Sequence, residues 1–396
     1  MTEKTLGLYF HFPFCVSKCP YCDFYSETNS VSAAKKYTES LILHMEDYSK
    51  SAALYDVDTV FFGGGTPTAI PISCLIEVIY GIRDNFSLRS DAEFTVEVNP
   101  ATVKASGFRK LRRAGVNRIS FGLQSANADE LKSLGRIHTF EDFVNSFKAA
   151  RKAGFKNINA DLMYGIPGQT KESLLNSLEK LCELGPEHIS LYGLRIEDGT
   201  PFGKVKDKLP LPDEDTEWEM YCEAIDFLAK KGYMQYEISN FSKPGKQCLH
   251  NLKYWNCEPY LGFGPGAHSY FEGRRFAYRR DTDAYIKNLE YRGSVADILS
   301  EDYYIKPSER LGEYVMLRMR LSEGIDVDEF ATIFGVSFEK LFEKFLPIYL
   351  KNGFIIKDGR NYFFSAKGMF VSNYILSAML DFDSDIIKGV VNGSDK

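Results

Sequence analysis

Six short runs rich in β-branched and aromatic residues alternate with helix-length amphipathic segments in the first half of the chain. This alternation is typical of βα units stacked around a parallel sheet. Six such units predict an α/β fold, either a doubly wound sheet or a partial (β/α)6 barrel. The runs are LGLYFHF (6–12), VDTVFFGG (57–64), EFTVEV (93–98), NRISFGL (117–123), NINADLMYG (157–165) and HISLYGL (188–194).

Polar residues or glycines recur where the predicted strands end. The sequence GGGTP follows the second run, Glu97 lies in the third, Gln124 follows the fourth and Asp161 lies in the fifth. Function in βα barrels gathers at the carboxyl ends of the strands. The repetition therefore predicts one site built from successive strands, and it favours the barrel over the doubly wound sheet.

Length and charge narrow the class of protein. A chain of 396 residues can bury a large core, and this length suggests two domains or one large barrel with an appendage. The formal net charge of −6 argues against a broad electrostatic footprint for nucleic acid. The sequence has no run of about eighteen apolar residues and no secretion signal before its first cysteines, so we expect a cytoplasmic protein that does not span a membrane. Transient membrane association is compatible with this expectation.

Three thiols lie close together after the first run, where Cys15, Cys19 and Cys22 have the spacing C-x-x-x-C-x-x-C. A structural zinc site needs four ligands, commonly from two knuckles, and the chain has no second knuckle. A disulfide would leave one thiol unpaired, and a thioredoxin-like pair would leave Cys15 idle. A four-iron cluster uses all three thiolates and leaves one iron open to a ligand that is not protein. The cluster would lie at the mouth of the predicted barrel.

The cysteine loop, with Tyr21 just before its last cysteine and GGGTP after the second run, resembles the radical S-adenosylmethionine (SAM) superfamily. The resemblance implies a [4Fe-4S] cluster whose open iron binds the amino and carboxylate groups of SAM. It further implies an electron donor whose electron, passed through the cluster, cleaves SAM to a 5′-deoxyadenosyl radical. The SAM contacts implied in this way are Tyr9, Tyr21, Gly64, Gly65, Thr66, Glu97, Gln124, Arg136 and Asp161.

Five longer segments resemble a narrower group within that superfamily. LYFHFPFC, FFGGGTPT, VEVNP, RISFGLQS and DLMYGIPGQT are together similar to the oxygen-independent coproporphyrinogen oxidases, over roughly residues 6–320. Two activities share this outline. The oxidases decarboxylate two propionates of coproporphyrinogen III by radical chemistry, whereas a sister branch, the HemW haem chaperones, binds haem and hands it to haem-requiring proteins.

Three features favour the chaperone branch. The oxidases add a further cysteine two positions after the last cluster cysteine, where this chain has Phe24. They also carry a long N-terminal extension, whereas fourteen residues precede Cys15 here. The segment HNLKYW matches a pattern of the chaperone branch, which implies haem binding by His250, Asn251, Tyr254 and Trp255. The expected partners are haem and haem-accepting proteins. The resemblance assigns no catalytic residue and leaves coproporphyrinogen oxidase activity as the alternative.

The pattern of elements changes along the chain, which predicts three domains. The first is a radical SAM barrel core, the second a barrel extension with the haem motif, and the third a mainly helical, winged-helix-like domain. Their predicted ranges are 1–212, 213–300 and 301–396.

The winged-helix outline in the third domain comes from three helices and a hairpin. The helices are predicted over 308–321, 327–333 and 337–352, and the hairpin turns on Asp358-Gly359. Acidic residues interrupt the putative recognition helix, which favours a structural or partner-binding appendage over a DNA-binding module. The last residues, 392–396, are expected to fray.

Overall fold

The computed structural model describes residues 4–28 and 33–380. Its first half contains six parallel strands joined by helices, which confirms the predicted partial (β/α)6 barrel. The strands are β1 Thr5–Phe12, β2 Asp56–Gly64, β3 Ser87–Val98, β4 Arg118–Gln124, β5 Ile158–Tyr164 and β6 His188–Gly193. The helices are α1 Ala34–Ser49, α2 Ile72–Asn85, α3 Ala105–Arg113, α4 Ala128–Ser133, α5 Phe140–Lys152 and α6 Lys171–Leu184.

The side chains of these strands alternate between two environments. On β1, Leu8, Phe10 and Phe12 are fully buried in the apolar core, whereas Tyr9 and His11 point to the opposite face. The same alternation runs through the other five strands, and the inward residues hydrogen-bond to one another. The barrel interior is therefore polar, unlike the packed apolar layers of a closed (β/α)8 barrel. The inward set includes Thr59, Glu93, Thr95, Glu97, Arg118, Ser120, Asn159, Asp161, His188 and Ser190.

Six further short strands extend the barrel sheet at both edges, giving the order β12-β11-β10-β9-β1-β2-β3-β4-β5-β6-β8-β7. Sequence patterns predict a helix over 213–231 and a less regular segment after it, because strands this short carry too little alternation to be recognised. The elements are α7 Glu214–Lys230, β7 Met234–Glu237, β8 Asn240–Ser242, α8 Leu249–Trp255, β9 Tyr260–Phe263, β10 His268–Phe271, β11 Arg274–Tyr278, α9 Thr282–Glu290 and β12 Leu299–Tyr304. Short 3₁₀ turns cover Pro67–Ala69, Gly203–Lys208 and Val295–Ile298. Strand β12 crosses the predicted boundary at residue 300, and the division into three domains stays a prediction.

The C-terminal region is mainly helical, with a small antiparallel sheet in the order β13-β15-β14. The predicted hairpin is confirmed, and Gly359 at its turn has a positive φ of 57°. The elements are α10 Pro307–Arg318, β13 Ile325–Asp326, α11 Val327–Phe334, α12 Phe338–Leu341, α13 Leu346–Lys351, β14 Ile355–Asp358, β15 Asn361–Phe364, α14 Ala366–Phe370 and α15 Ser372–Met379. The predicted tail at 392–396 lies outside the described residues.

One predicted helix of this region is wrong. The segment 337–352 forms two helices, α12 and α13, rather than a single one. Pro347 lies in the first turn of α13 and lacks the amide N–H that a continuous helix would need at that point. Proline is tolerated only where the helix starts, so α13 begins anew there.

The C-terminal region packs directly on the barrel. The ring of Phe370 meets that of Trp218 edge to face at 5.3 Å, and its centroid lies 5.8 Å from that of Tyr221 on the same helix, α7. Within the described ranges, the structure has no helix both long and apolar enough to cross a membrane.

Candidate functional site

The cysteine loop follows β1 at the carboxyl end of the parallel strands. Its two ends are tied together, because the Cys15 amide donates to the Glu27 carbonyl at 3.0 Å and the Glu27 amide donates to the Pro13 carbonyl at 2.7 Å. The Cys22 amide donates to the Cys19 carbonyl at 3.1 Å, which forms a turn between the last two thiols. All three thiols are free and half-buried. Burial raises the pKa of the Cys22 thiol.

A chain of hydrogen bonds links two of these thiols through residues that follow β2, β3 and α4. The Thr66 hydroxyl lies 3.6 Å from the Cys15 sulfur and accepts from the Asn99 amide at 2.7 Å. The Arg136 guanidinium donates to Asn99 Oδ1 at 2.7 Å and to the Cys19 sulfur at 3.5 Å. Asn99 was not among the predicted site residues, although its position at a strand end is the signal that identified Glu97, Gln124 and Asp161.

The glycines after β2 let the chain pass close to the cysteine loop. A Cβ at Gly65 would lie 2.8 Å from the Phe14 carbonyl oxygen and 3.1 Å from the Cys15 sulfur. Gly64 has a φ of 105°, and a Cβ there would lie 2.6 Å from the His11 ring. Only glycine combines this backbone with this approach.

Two carboxylates predicted as SAM contacts face the interior below the cysteine loop. Burial, reinforced by the nearby Asp161 carboxylate, raises the pKa of Glu97 to about 8. Asp161 accepts a hydrogen bond from the Asn159 amide at 2.7 Å, and burial raises its pKa. Glu97 is therefore mainly protonated at neutral pH, and a cationic ligand between the two groups would lower their pKa values and restore the charged carboxylates.

The remaining predicted SAM contacts surround the same mouth. Tyr9 lies on β1 with its hydroxyl 3.1 Å from His11 Nδ1. Gln124 ends β4 with a positive φ of 71°, a strained backbone that is common at functional sites. Tyr21 packs in a small apolar cluster with Phe202, at 6.4 Å between ring centroids. The structure thus brings the predicted cysteines and SAM contacts to one end of the barrel.

The predicted haem residues lie deeper in the same interior, on α8. His250 is 1% exposed, with Nδ1 2.9 Å from the Thr59 hydroxyl and Nε2 2.9 Å from the Tyr254 hydroxyl. Its backbone amide donates to Glu93 Oε1 at 3.0 Å. Burial, with the charges of Lys253 and Arg118, lowers the pKa of His250 to about 3, so the imidazole is neutral at physiological pH.

Tyr9 joins the two groups of predicted residues. Its ring stacks near that of His250, at 6.5 Å between centroids, while its hydroxyl contacts His11 beneath the glycine turn. Asn251 and Trp255 are half-buried on α8. A series of side-chain contacts therefore links the glycine turn beside the cysteine loop to the haem motif.

The surroundings of the three thiols are compatible with an iron–sulfur cluster. Among residues 4–28 and 33–380, no three side chains of His, Cys, Asp or Glu converge on the position of one metal ion. A four-iron cluster instead takes each thiolate on a separate iron. The hydrogen bonds from Thr66 and Arg136 reach two of the three sulfurs, and such donors stabilise thiolates bound to iron.

Comparisons with known proteins agree with this geometry. The radical SAM superfamily model matches residues 9–181, and the HemN C-terminal domain model matches residues 305–371. The solved structure of coproporphyrinogen III oxidase (HemN) from Escherichia coli superposes with a TM-score of 0.83, covering 96% of this chain and 91% of that chain. At 23% sequence identity this likeness shows a shared fold.

Relatives that align over most of this chain assign it to a narrower family. A protein named heme chaperone HemW from Lactococcus lactis is 34% identical over 382 residues, which cover 96% of this chain and 98% of the relative. A protein of the same name from Escherichia coli is 39% identical over 337 residues, covering 84% of this chain and 86% of the relative. The chain therefore belongs to the radical SAM superfamily and, within its HemN-like group, to the HemW family.

Proposed function

We propose that this chain is a haem chaperone of the radical SAM type, which binds haem in the barrel interior and delivers it to haem-requiring proteins. The HemW relatives, whose name describes that role, support the proposal. The observation that carries it is the position of α8. The helix bearing HNLKYW lines the same polar interior as the predicted SAM contacts instead of lying on an outer surface.

The imidazole of His250 has the protonation state that an iron ligand needs. A neutral imidazole ligates haem iron, and burial keeps this ring neutral. Ligation through Nε2 requires the Tyr254 hydroxyl to release its hydrogen bond, while Thr59 can go on holding Nδ1. A second hydrogen bond of this kind fixes the orientation of a metal-bound imidazole.

We further propose that Cys15, Cys19 and Cys22 hold a [4Fe-4S] cluster and that the barrel mouth binds SAM. When bound, the cluster would pass an electron from an external donor to SAM. The chain's own contribution is positioning: the glycine turn allows close backbone approach, and Glu97 and Asp161 offer carboxylates to the ammonium and hydroxyl groups of SAM.

Haem titration tests the chaperone proposal. Haem would be added to the anaerobically reconstituted protein and followed by its Soret absorbance, for the parent, His250→Ala and His268→Ala. His268 is an exposed histidine on β10 and serves as the matched control. We expect the parent and His268→Ala to bind one haem with the same spectrum, and His250→Ala to lose that spectrum. A parent protein without saturable haem binding would refute the function, and an unchanged His250→Ala would refute the ligand.

The cluster proposal has an independent test. Cys19→Ser should reduce the iron content after reconstitution from about four atoms to near zero, because a cluster with two thiolates is poorly held. Cys182→Ser, on α6 outside the site, should keep its iron. An unchanged iron content in Cys19→Ser would exclude this loop as the cluster site.

The alternative is coproporphyrinogen oxidase activity, which the near-complete set of predicted SAM contacts favours. Incubation of the SAM-bound protein with a strong reductant and coproporphyrinogen III, followed by mass spectrometry, separates the two functions. Protoporphyrinogen formed over many turnovers would establish an oxidase. Its absence from a sample that binds SAM and a cluster would support the chaperone.

A further inference from the structure

Arg320 connects the C-terminal region to the haem motif. It follows α10, and the next residues run beside β7, where Leu321 forms a bridge with Glu237 and the Ser322 amide donates to the Tyr236 carbonyl at 3.0 Å. Its guanidinium carbon lies 4.7 Å from the centre of the Trp255 ring at the end of α8. A cation over an aromatic face is attracted to it, which holds Arg320 at this end of the helix.

Over residues 4–28 and 33–380, no carboxylate lies within hydrogen-bonding distance of the Arg320 guanidinium. Its Nε is buried without a hydrogen bond, and within the described residues its side chain forms neither a hydrogen bond nor an ion pair. The carboxylate that acts on it most strongly, that of Glu237, is already held by the Ser239 amide at 3.0 Å and by the Asn240 side chain. A half-buried guanidinium left in this state is unfavourable unless an anion joins it.

A second arginine adds to this positive charge. Arg195 follows β6 and is exposed, and its charge adds to burial in lowering the pKa of Arg320. Over the described ranges Arg195 forms no ion pair, although Glu217 lies near enough to feel its charge. Tyr192, 40% exposed near the end of β6, is close enough to Arg320 to affect its pKa. A carboxylate would be attracted by the positive charges of both arginines.

We propose that Arg320 and Arg195 bind the propionate carboxylates of haem, with the Trp255 ring against the edge of the macrocycle. This inference rests on the proposed haem-binding function and assigns the anionic end of that ligand. The planar guanidinium matches a carboxylate in a two-point contact.

The test compares haem with its dimethyl ester, in which both carboxylates are neutral. Each would be titrated into the parent, Arg320→Gln, Arg195→Gln and Arg310→Gln. Arg310 is an exposed residue of α10 and is the matched control. We expect Arg320→Gln to weaken haem binding about tenfold or more, the loss of a charged hydrogen bond, and to leave ester binding within about twofold. Arg195→Gln should act in the same direction, and Arg310→Gln should match the parent.

The outcomes separate this inference from the function on which it rests. The carboxylate site would be overturned if the parent bound haem and its ester with equal affinity. It would also be overturned if Arg320→Gln lost the same factor of affinity for both ligands. Haem binding itself would stand in either case. A parent that binds neither ligand would overturn both proposals. Since Arg195 is exposed and its replacement does not disturb the core, Arg195→Gln decides the question if Arg320→Gln does not fold.

Discussion

Glu97 shows at the residue scale how the barrel interior controls protonation. Its pKa of about 8 in the folded chain lies above the ordinary value, because burial and the Asp161 carboxylate oppose the charged form. The folded state therefore binds the proton more tightly than the unfolded state between about pH 4.5 and 8. The stability from this proton is complete below the ordinary pKa and is lost as the pH rises through the folded pKa.

Glu97→Gln should remove this pH dependence. Without added ligand, the parent should lose about 1–3 kcal/mol more unfolding free energy than the variant between pH 5 and 8.5, a range that allows for the access of solvent to the barrel mouth. Urea unfolding at the two pH values measures the difference. Glu77→Gln, at an exposed position on α2, should follow the parent. If the free energy of unfolding changed with pH equally in the parent and in Glu97→Gln, the raised pKa of Glu97 would be contradicted.

Gly64→Ala separates backbone strain from steric clash. Gly64 combines a φ of 105° with the His11 ring 2.6 Å from an added Cβ, whereas Gly199 has a φ of 90° and nothing within 4 Å. Gly199→Ala should lower the unfolding free energy by about 1 kcal/mol, and Gly64→Ala by about 2–4 kcal/mol. Chemical denaturation of both variants measures the two losses. Equal losses would show that the turn beside His11 can relax.

At the element scale, α8 is held in place by one buried cation. Lys253 is 3% exposed, and its Nζ lies 2.9 Å from Asp58, 2.8 Å from Glu258 and 3.1 Å from the Thr5 hydroxyl. These contacts tie the helix to the starts of β1 and β2. Lys253 lies between His250 and Tyr254 in the sequence, so its ion pairs also fix the position of the haem motif.

Lys253→Met should destabilise the fold by about 1–3 kcal/mol, because it leaves the Asp58 and Glu258 carboxylates without their shared partner. It should also weaken haem binding, since α8 loses its tie to the barrel. Lys36→Met removes a solvent-exposed pair with Glu290 at 3.1 Å and should change stability by less than about 1 kcal/mol. Denaturant midpoints compare the two variants. A Lys253→Met protein as stable as Lys36→Met would show that α8 is held by other contacts.

At the scale of the whole molecule, α14 couples the C-terminal region to the barrel through aromatic packing. Phe370 contacts Trp218 and Tyr221 on α7, and the Tyr221 hydroxyl donates to the Ile238 carbonyl at 3.0 Å, beside β7. The same side of the barrel receives Arg320. A substitution that loosens the packing of Phe370 on α7 would therefore also affect the proposed haem site.

Phe370→Ala should lower the unfolding free energy by about 1–3 kcal/mol, since the ring is only partly buried. In a Trp255→Phe background the other tryptophan of the chain, Trp218, reports the contact by fluorescence. Tyr374→Ala, at a site 77% exposed on α15, should leave both stability and emission unchanged. Unchanged Trp218 emission in Phe370→Ala would mean that the contact does not form in solution.

Local patterns were sufficient to predict the first half of the fold, and they place the candidate site at the ends of the strands. Each βα unit carries its own alternation of strand and helix signals, and polar residues mark the strand ends that meet at one edge. The sequences of the strands also indicate the polar face that points inward. In LGLYFHF, Tyr9 and His11 alternate with Leu8 and Phe10. That period of two, which was not used in the prediction, identifies a polar interior.

The sequence by itself determined the barrel, the spacing of three cysteines and the family to which both belong, because these features depend on residues close together along the chain. Only the tertiary structure decided that Asn99 bridges Thr66 and Arg136, that Thr59 and Tyr254 hold His250, and that Arg320 rests on Trp255. Such partners come from different elements, and Arg320 and Trp255 are 65 positions apart in the sequence. Contacts of this kind form only when distant parts of the chain pack together, so the local periodicity of the sequence does not predict them.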